Sequence, residues 1–199
     1  MKSIIRSFCA IVFLASLIGV CVAAGFSSIQ YDMVYEQPGM GNPSGKVYIK
    51  GTKSRIEMDQ AGNKSVTLFD GEKAFMYLPA QNMAIMIPVD QVKQQVPEVR
   101  DYKADCQLLG EESIDGRPCG IYQCSKGGAP VKMWIDKTID FPLKTVASGM
   151  TMSCKNIVVN APLDDSLFEL PAGIKVQDMS AMMQGLQKSG GRNLDNLIQ

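Results

Sequence analysis

Histidine is absent from all 199 residues. That absence removes Ser-His-Asp and Cys-His nucleophilic catalysis and every histidine-ligated zinc site. A phosphate-cradling loop is missing too. The segment Gly39 to Pro43 has two glycines but neither the lysine nor the following helix such a loop requires, so it reads as a plain turn. Asp59 with Asn63 is not followed by a calcium-ligating loop. Two carboxylate pairs remain. Glu111 and Glu112 are neighbours in a strand-like stretch and so face opposite ways. Asp164 and Asp165 sit before Ser166, where acids fit local turn hydrogen bonding. Both pairs read as solvated surface, so no catalytic residue, metal site or cofactor is expected and the chain is not read as an enzyme.

The N-terminus has the order of a secretory signal. Lys2 and Arg6 precede an apolar run from Phe8 to Ile18, Gly19 breaks it, and Val22-Ala23-Ala24 supplies the small residues of a cleavage site. The expected cut lies between Ala24 and Gly25. An uncleaved anchor is the alternative, but the apolar core is shorter than a bilayer span of roughly 18 residues and ends in a cleavage-type site. Lipidation at Cys21 is a third reading, opposed by Val20, which is not small. Three segments follow: residues 1–24 as signal peptide, 25–178 as a β domain, and 179–199 as an amphipathic helix and tail. Cleavage would remove Lys2 and Arg6, leaving 18 basic against 20 acidic residues, a net charge of −2. That gives no basic field for nucleic acid. No later stretch is long and apolar enough to span a membrane, so the expected product is soluble in the periplasm.

Beyond the leader the hydrophobic period is mostly two. Tyr31, Met33 and Tyr35 alternate with Asp32, Val34 and Glu36, and the same rhythm recurs around Val47 and Ile49 and around Ile56 and Met58. Turn signals at residues 51–52, 61–63 and 70–71 separate these runs, and such short connections make neighbours antiparallel. Residues 75–79 and 83–88 are nearly continuous apolar runs, the mark of strands covered on both faces. Asp115-Gly116 signals a hairpin between residues 106–112 and 117–125. Strands at 131–136, 143–148, 150–159 and 166–170 bring the total to about eleven. Two helices are expected: 88–99, with Val89, Val92 and Val96 on one side, and 180–187, where Met179, Met182, Met183 and Leu186 form a stripe.

The cysteines left after cleavage are Cys106, Cys119, Cys124 and Cys154. An even number in an oxidising compartment reads as two disulfides. Three connectivities are open. The hairpin turn favours Cys106 with Cys124, a closure that would stabilise by roughly 3 kcal/mol. Methionine is abundant, with 12 residues beyond Met1. Flexible thioethers fill cores, and they also suit surfaces that adapt to varied apolar partners. Met76, Leu78, Met83, Met86, Met179, Met182 and Met183 are therefore candidates for facing an apolar ligand or a covering helix. Burying ten methylenes of an acyl chain would contribute roughly 8 kcal/mol before entropic costs.

Several stretches resemble the LolA-like group of envelope proteins, which includes lipoprotein carriers and related lipid-binding domains. They are GKVYIKG at 45–51 followed by KSRIE at 53–57, LGEESIDGRPC at 109–119, VKMWID at 131–136 with FPLK at 141–144, and DSLFELP at 165–171. The first half is also similar to the domain of unknown function DUF4412. The likeness implies a mainly β, α+β fold: a curved antiparallel sheet, an incomplete barrel, with helices on its concave face. It also implies that Arg55 falls where the carriers have a strand arginine that helps hold a helical lid.

Two functions are compatible with these observations. The first is a non-enzymatic periplasmic protein that binds a hydrophobic ligand, either a lipid or an acylated protein. The second is a structural or protein-interaction domain of the cell envelope whose concave face is filled by its own helices.

Overall fold

The computed structural model describes residues 26–37, 42–89, 106–125 and 130–178. Twelve strands form one open sheet. They are β1 (Ser28–Glu36), β2 (Ser44–Lys50), β3 (Lys53–Gln60), β4 (Asn63–Phe69), β5 (Ala74–Leu78), β6 (Met83–Ile87), β7 (Gln107–Ile114), β8 (Arg117–Cys124), β9 (Val131–Asp136), β10 (Phe141–Ala147), β11 (Met150–Val159) and β12 (Lys175–Asp178). The order across the sheet is β12-β6-β5-β4-β3-β2-β1-β11-β10-β9-β8-β7. Two antiparallel meanders, β1 to β6 and β7 to β11, are joined where β11 pairs with β1. β12 then adds to the far edge, parallel to β6.

The alternating residues of β1 explain the core. Ile29, Tyr31, Met33 and Tyr35 are buried on one face, here the inner face, with Val47 and Ile49 of β2 and Ile56 of β3. Cys119, Trp134, Phe141, Leu143, Met152 and Cys154 from the second meander join the same cluster. Tyr31 meets Phe141 edge to face, with centroids 5.2 Å apart, an arrangement that contributes about 0.5–1.5 kcal/mol beyond burial. Gly45 stands where a side chain could not: a Cβ there would come within 2.6 Å of the Glu57 carbonyl oxygen. At the β7–β8 turn, Asp115 and Gly116 both have positive φ, 49° and 77°, as a two-residue hairpin turn of this hand demands.

Buried charge in the second meander is paired. Asp136 is fully buried and accepts from Arg117 Nη1 at 2.8 Å and from the Thr138 amide at 2.7 Å. Burial alone would raise its pKa; these hydrogen bonds and the guanidinium charge outweigh it and hold the carboxyl below its ordinary range. Trp134 Nε1 donates to Glu112 Oε2 at 2.5 Å, which ties edge strand β7 to β9. The Lys132 and Lys144 ammonium groups lie 4.9 and 4.7 Å from the Trp134 ring.

Three expectations are corrected. The incomplete barrel with helices on a concave face is replaced by an open sheet of twelve strands, not eleven, and among the described residues no α-helix covers the inner face. Around β1 that face is filled by the sheet's own aromatic and thioether side chains. The helices expected at 88–99 and 180–187 extend into or lie in stretches outside the described residues. The strand expected at 166–170 is a 3₁₀ helix, Asp165–Phe168, because the Asp164 carboxylate accepts from the Ser166 amide at 2.8 Å and caps a helical turn there. The closing strand falls later, as β12.

The third correction concerns the cysteines. Cys106 and Cys124 are bridged, with Cα atoms 4.4 Å apart. Cys119 and Cys154 are free and buried. They lie on β8 and β11, with β9 and β10 between them. Three inter-strand steps of about 4.8 Å exceed the Cα separation of about 7 Å that a bridge tolerates. Burial in apolar surroundings pushes the Cys154 thiol up to about 12. The bridge that does form closes a separation of 18 residues at the open end of the β7–β8 hairpin. Replacing both partners by serine is expected to lower stability by about 3 kcal/mol, read as a fall in the urea midpoint. In the parent protein a thiol-alkylating reagent should modify neither Cys119 nor Cys154 until denaturant is added.

Candidate functional site

Burial changes sides along the first meander. On β1 to β3 the inner face is the buried one, but on β4 the buried residues are Val66 and Leu68. Register places these two opposite Glu57 and Arg55, on the outer face. The apolar runs of β5 and β6 sit where the change occurs, and most of their side chains are only half covered.

The pairing divides the candidate ligand-facing residues. Leu78 lies opposite Met83, and Met76 opposite Ile85, all on the inner face. Met86 lies opposite Phe75 on the outer face. Met76, Leu78 and Met83 are thus brought together, while Met86 is separated from them. Met179, Met182 and Met183 lie outside the described residues, as do Ala24 and Gly25.

The outer face has a continuous cross-strand row. Tyr48 opposes Arg55, Arg55 opposes Leu68, Leu68 opposes Phe75, and Phe75 opposes Met86. The row ends at Asp178 of β12, beside Met86. There a cavity of about 160 Å³ opens at the ends of β5, β6 and β12, lined by Lys73, Met86, Ile87, Pro88, Val89 and Asp178. A second groove, of about 260 Å³, lies under the β7–β8 turn. Glu36, Glu112, Asp115, Lys144 and Lys155 line it together with Ile114, Leu143 and Cys154, so its walls mix charge with apolar surface.

The connection from β11 to β12, residues 160–174, crosses the outer face as a strap. Its Ala161, Leu163 and Phe168 are buried together, with Tyr48 and Leu167 packed against them. Polar contacts pin it along its length. Ser28 Oγ donates to the Ala161 carbonyl at 2.7 Å. Lys50 Nζ donates to the Leu163 carbonyl at 2.9 Å and lies 3.2 Å from Asp165 Oδ1. Lys53 Nζ reaches the same carboxylate oxygen at 3.3 Å. Arg55 Nη1 donates to the Leu167 carbonyl at 3.0 Å, and its Nε is held by Glu57 Oε1 at 2.6 Å. Arg55 therefore holds a covering segment that is a strap and not a helical lid. Hydrogen bonds from Lys50 and Lys53, followed by their charges, hold the Asp165 carboxyl below its ordinary range.

Sequence reasoning did not single out Lys50, Lys53 or Phe168 and placed Asp165 in a solvated turn. The available signal was the pair of lysines flanking the Gly51-Thr52 turn: register sets Lys50 directly opposite Lys53, so both project to one side. Nothing local announces that Asp165, more than a hundred residues later, meets them. Among the described residues no group of three or more Cys, Asp or Glu is placed to hold a metal ion. No described helix is long and apolar enough to cross a membrane.

Comparison with known proteins gives one family match and one shared fold. The family model described as "Domain of unknown function (DUF4412)" matches residues 30–141. An uncharacterized conserved protein from Thermus thermophilus has a similar structure, with a TM-score of 0.60 at 16% identity, covering 85% of this chain and 98% of that one. A LolA superfamily protein from Nitrosomonas europaea is a looser match, with a TM-score of 0.36 at 12% identity, covering 80% and 97%. An uncharacterized protein of Methanocaldococcus jannaschii is 32% identical over 85 residues, 40% of this chain and 25% of that protein. The chain thus matches about a quarter of the length of that relative.

Two outcomes are expected for the strap. Arg55→Ala should cost about 1.5–3 kcal/mol, the worth of a hydrogen bond from a charged donor, read from urea unfolding. Asp165, with its folded pKa depressed, adds stability above the unfolded value of 3.8 that is lost as pH falls through the lower folded value. After correction for intrinsic rates, the Leu167 and Glu169 amides should therefore exchange hydrogen faster at about pH 3 than at about pH 5, and faster in high salt.

Proposed function

This chain belongs to the DUF4412 family, and we propose that it is a non-enzymatic protein, exported to the periplasm, that binds a hydrophobic ligand at the β4–β6 end of its sheet. The observation that carries this reading is the half-covered state of β5 and β6. Their side chains are apolar on both faces, yet the inner-face Met76, Leu78 and Met83 and the outer-face Phe75 and Met86 remain only partly buried. Apolar surface left in this condition loses the stabilisation that full removal from water would give, about 25 cal/mol per Å². A lipid or the acyl chain of a modified protein would supply it, and methionine side chains adapt to chains of different shape.

Export is supported by the signal-like N-terminal sequence and by the Cys106–Cys124 bridge, which suits an oxidising compartment. The absence of histidine from the sequence fits a binder that needs no catalytic group. A second reading, a structural or protein-interaction domain of the envelope, draws on the inner face around Tyr31, which is packed with the sheet's own side chains.

Binding of a fluorescent fatty acid separates the two readings, together with native mass spectrometry of the protein purified from the periplasm. The ligand-binding reading expects co-purified lipid and a saturable fluorescence rise. Phe75→Asp combined with Met86→Asp, two facing outer-face positions, should weaken probe binding by about tenfold or more, since a charge in the seat opposes an apolar chain. Lipid-free protein that ignores the probe would favour the interaction domain.

A further inference from the structure

The strap has an unusual chemical outline. Its Asp165 carboxylate, exposed to water, sits between the ammonium groups of Lys50 and Lys53. Three residues on, Phe168 is sunk to 2% exposure among Ala161, Leu163 and Tyr48. An anion joined to an apolar body and laid on paired cations beside an apolar floor has the form of an anionic amphiphile in its seat. The floor does not stop at the strap. The row from Arg55 through Leu68 and Phe75 to Met86 takes three inter-strand steps, about 14 Å at 4.8 Å each, and leads to the cavity beside Pro88 and Val89. Leu68 is fully buried, whereas Phe75 and Met86 are half covered.

We propose that the strap, residues 160–174, is an internal stand-in for the ligand, and that the seat beneath it binds a single-chain alkyl carboxylate, a fatty acid. Lys50 and Lys53 take the carboxylate in place of Asp165. The alkyl chain replaces Phe168 and Leu163 and runs along Leu68, Phe75 and Met86. A carboxylate is the head group chosen because a carboxylate occupies that place in the closed arrangement. One chain is chosen because the terminal cavity, about 160 Å³, is smaller than the pockets of about 300–1,000 Å³ that enclose larger ligands. The inference rests on the hydrophobic-ligand reading above and adds its head group, its path and the segment that competes with it. Because the strap and the ligand exclude one another, apparent affinity is the intrinsic affinity multiplied by the fraction of molecules in which the strap is lifted.

The test uses the full chain and the binding of dodecanoate and of its methyl ester, followed by displacement of a fluorescent fatty acid. Dodecanoate is expected to bind more tightly than the ester. Lys53→Glu should weaken dodecanoate by about tenfold without weakening the ester. Asp165→Asn should tighten dodecanoate by about threefold to tenfold, because a competing anion is removed and the strap lifts more often. Both positions are at the surface, so neither variant depends on repacking the core, and thermal melts check that each is folded. Saturating dodecanoate should also speed hydrogen exchange at the Leu167 and Glu169 amides, which the strap's own turn protects. Equal binding of acid and ester, with neither variant moving the affinity, would overturn the inference and leave the hydrophobic-ligand reading intact. Slower exchange in the strap on binding would also overturn it, since the ligand would then sit elsewhere. Displacement of the probe by phospholipid vesicles but not by dodecanoate would overturn the choice of head group. Failure of every form to bind any of these probes would overturn both this inference and the reading beneath it.

Discussion

Everything in this structure depends on the ladder between β1 and β11. Residues 28–36 find partners more than a hundred positions later: Met33 lies opposite Cys154 and Tyr35 opposite Met152. Without that pairing there would be two meanders, each with an apolar face and nothing to bury it against. With it, the inner face of β1 becomes the centre of one cluster that runs from Ile56 on β3 to Cys119 on β8. A ladder so distant in sequence carries a large loop-closure cost. It is offset by the apolar area buried beside it, Tyr31 on Phe141 being the plainest contact.

The same ladder sets up the outer face. β11 ends next to the start of β1, where the Asn160 side chain accepts from the Ser27 amide and the Asn160 amide donates to the Ser28 carbonyl. From that point the chain must reach the opposite edge of the sheet to form β12 beside β6, which takes it past β2, β3, β4, β5 and β6. The crossing covers Tyr48, and its carbonyl groups are taken by Lys50 and Arg55. A segment held by long cationic side chains, with an exposed ion pair at its middle, is less firmly attached than a strand in a ladder. Local opening favours segments of that kind, and this one lies next to the half-covered strands β5 and β6.

Much of the local structure was legible. Period-two alternation and turn residues located the hairpins of the first meander, Asp115-Gly116 located the β7–β8 hairpin, and the hairpin in turn favoured the Cys106–Cys124 bridge. The misses share one cause. Ser166 to Leu170 has a strand-like composition, but the Asp164 cap and the absence of a neighbouring ladder turn it into 3₁₀ helix. Lys175–Asp178 is short and exposed, and it is a strand only because β6 offers an unpaired edge. An even count of cysteines suggested two bridges, yet Cys119 and Cys154 stand three strands apart in the sheet order.

The sequence by itself determined the period of the strands, the positions of the tight turns, the lack of any imidazole chemistry and the apolar character of β5 and β6. These follow from backbone geometry and side-chain type, which act over a few residues. Tertiary structure alone decided which face of each strand is buried, which cysteines meet, and that Asp165 rests on Lys50 and Lys53. It also decided that Met76, Leu78 and Met83 share a face from which Met86 is excluded. Those outcomes depend on register and on pairing between distant strands. A shift of one residue reverses every side chain in a strand, and that choice is made only when the whole sheet assembles around β1 and β11.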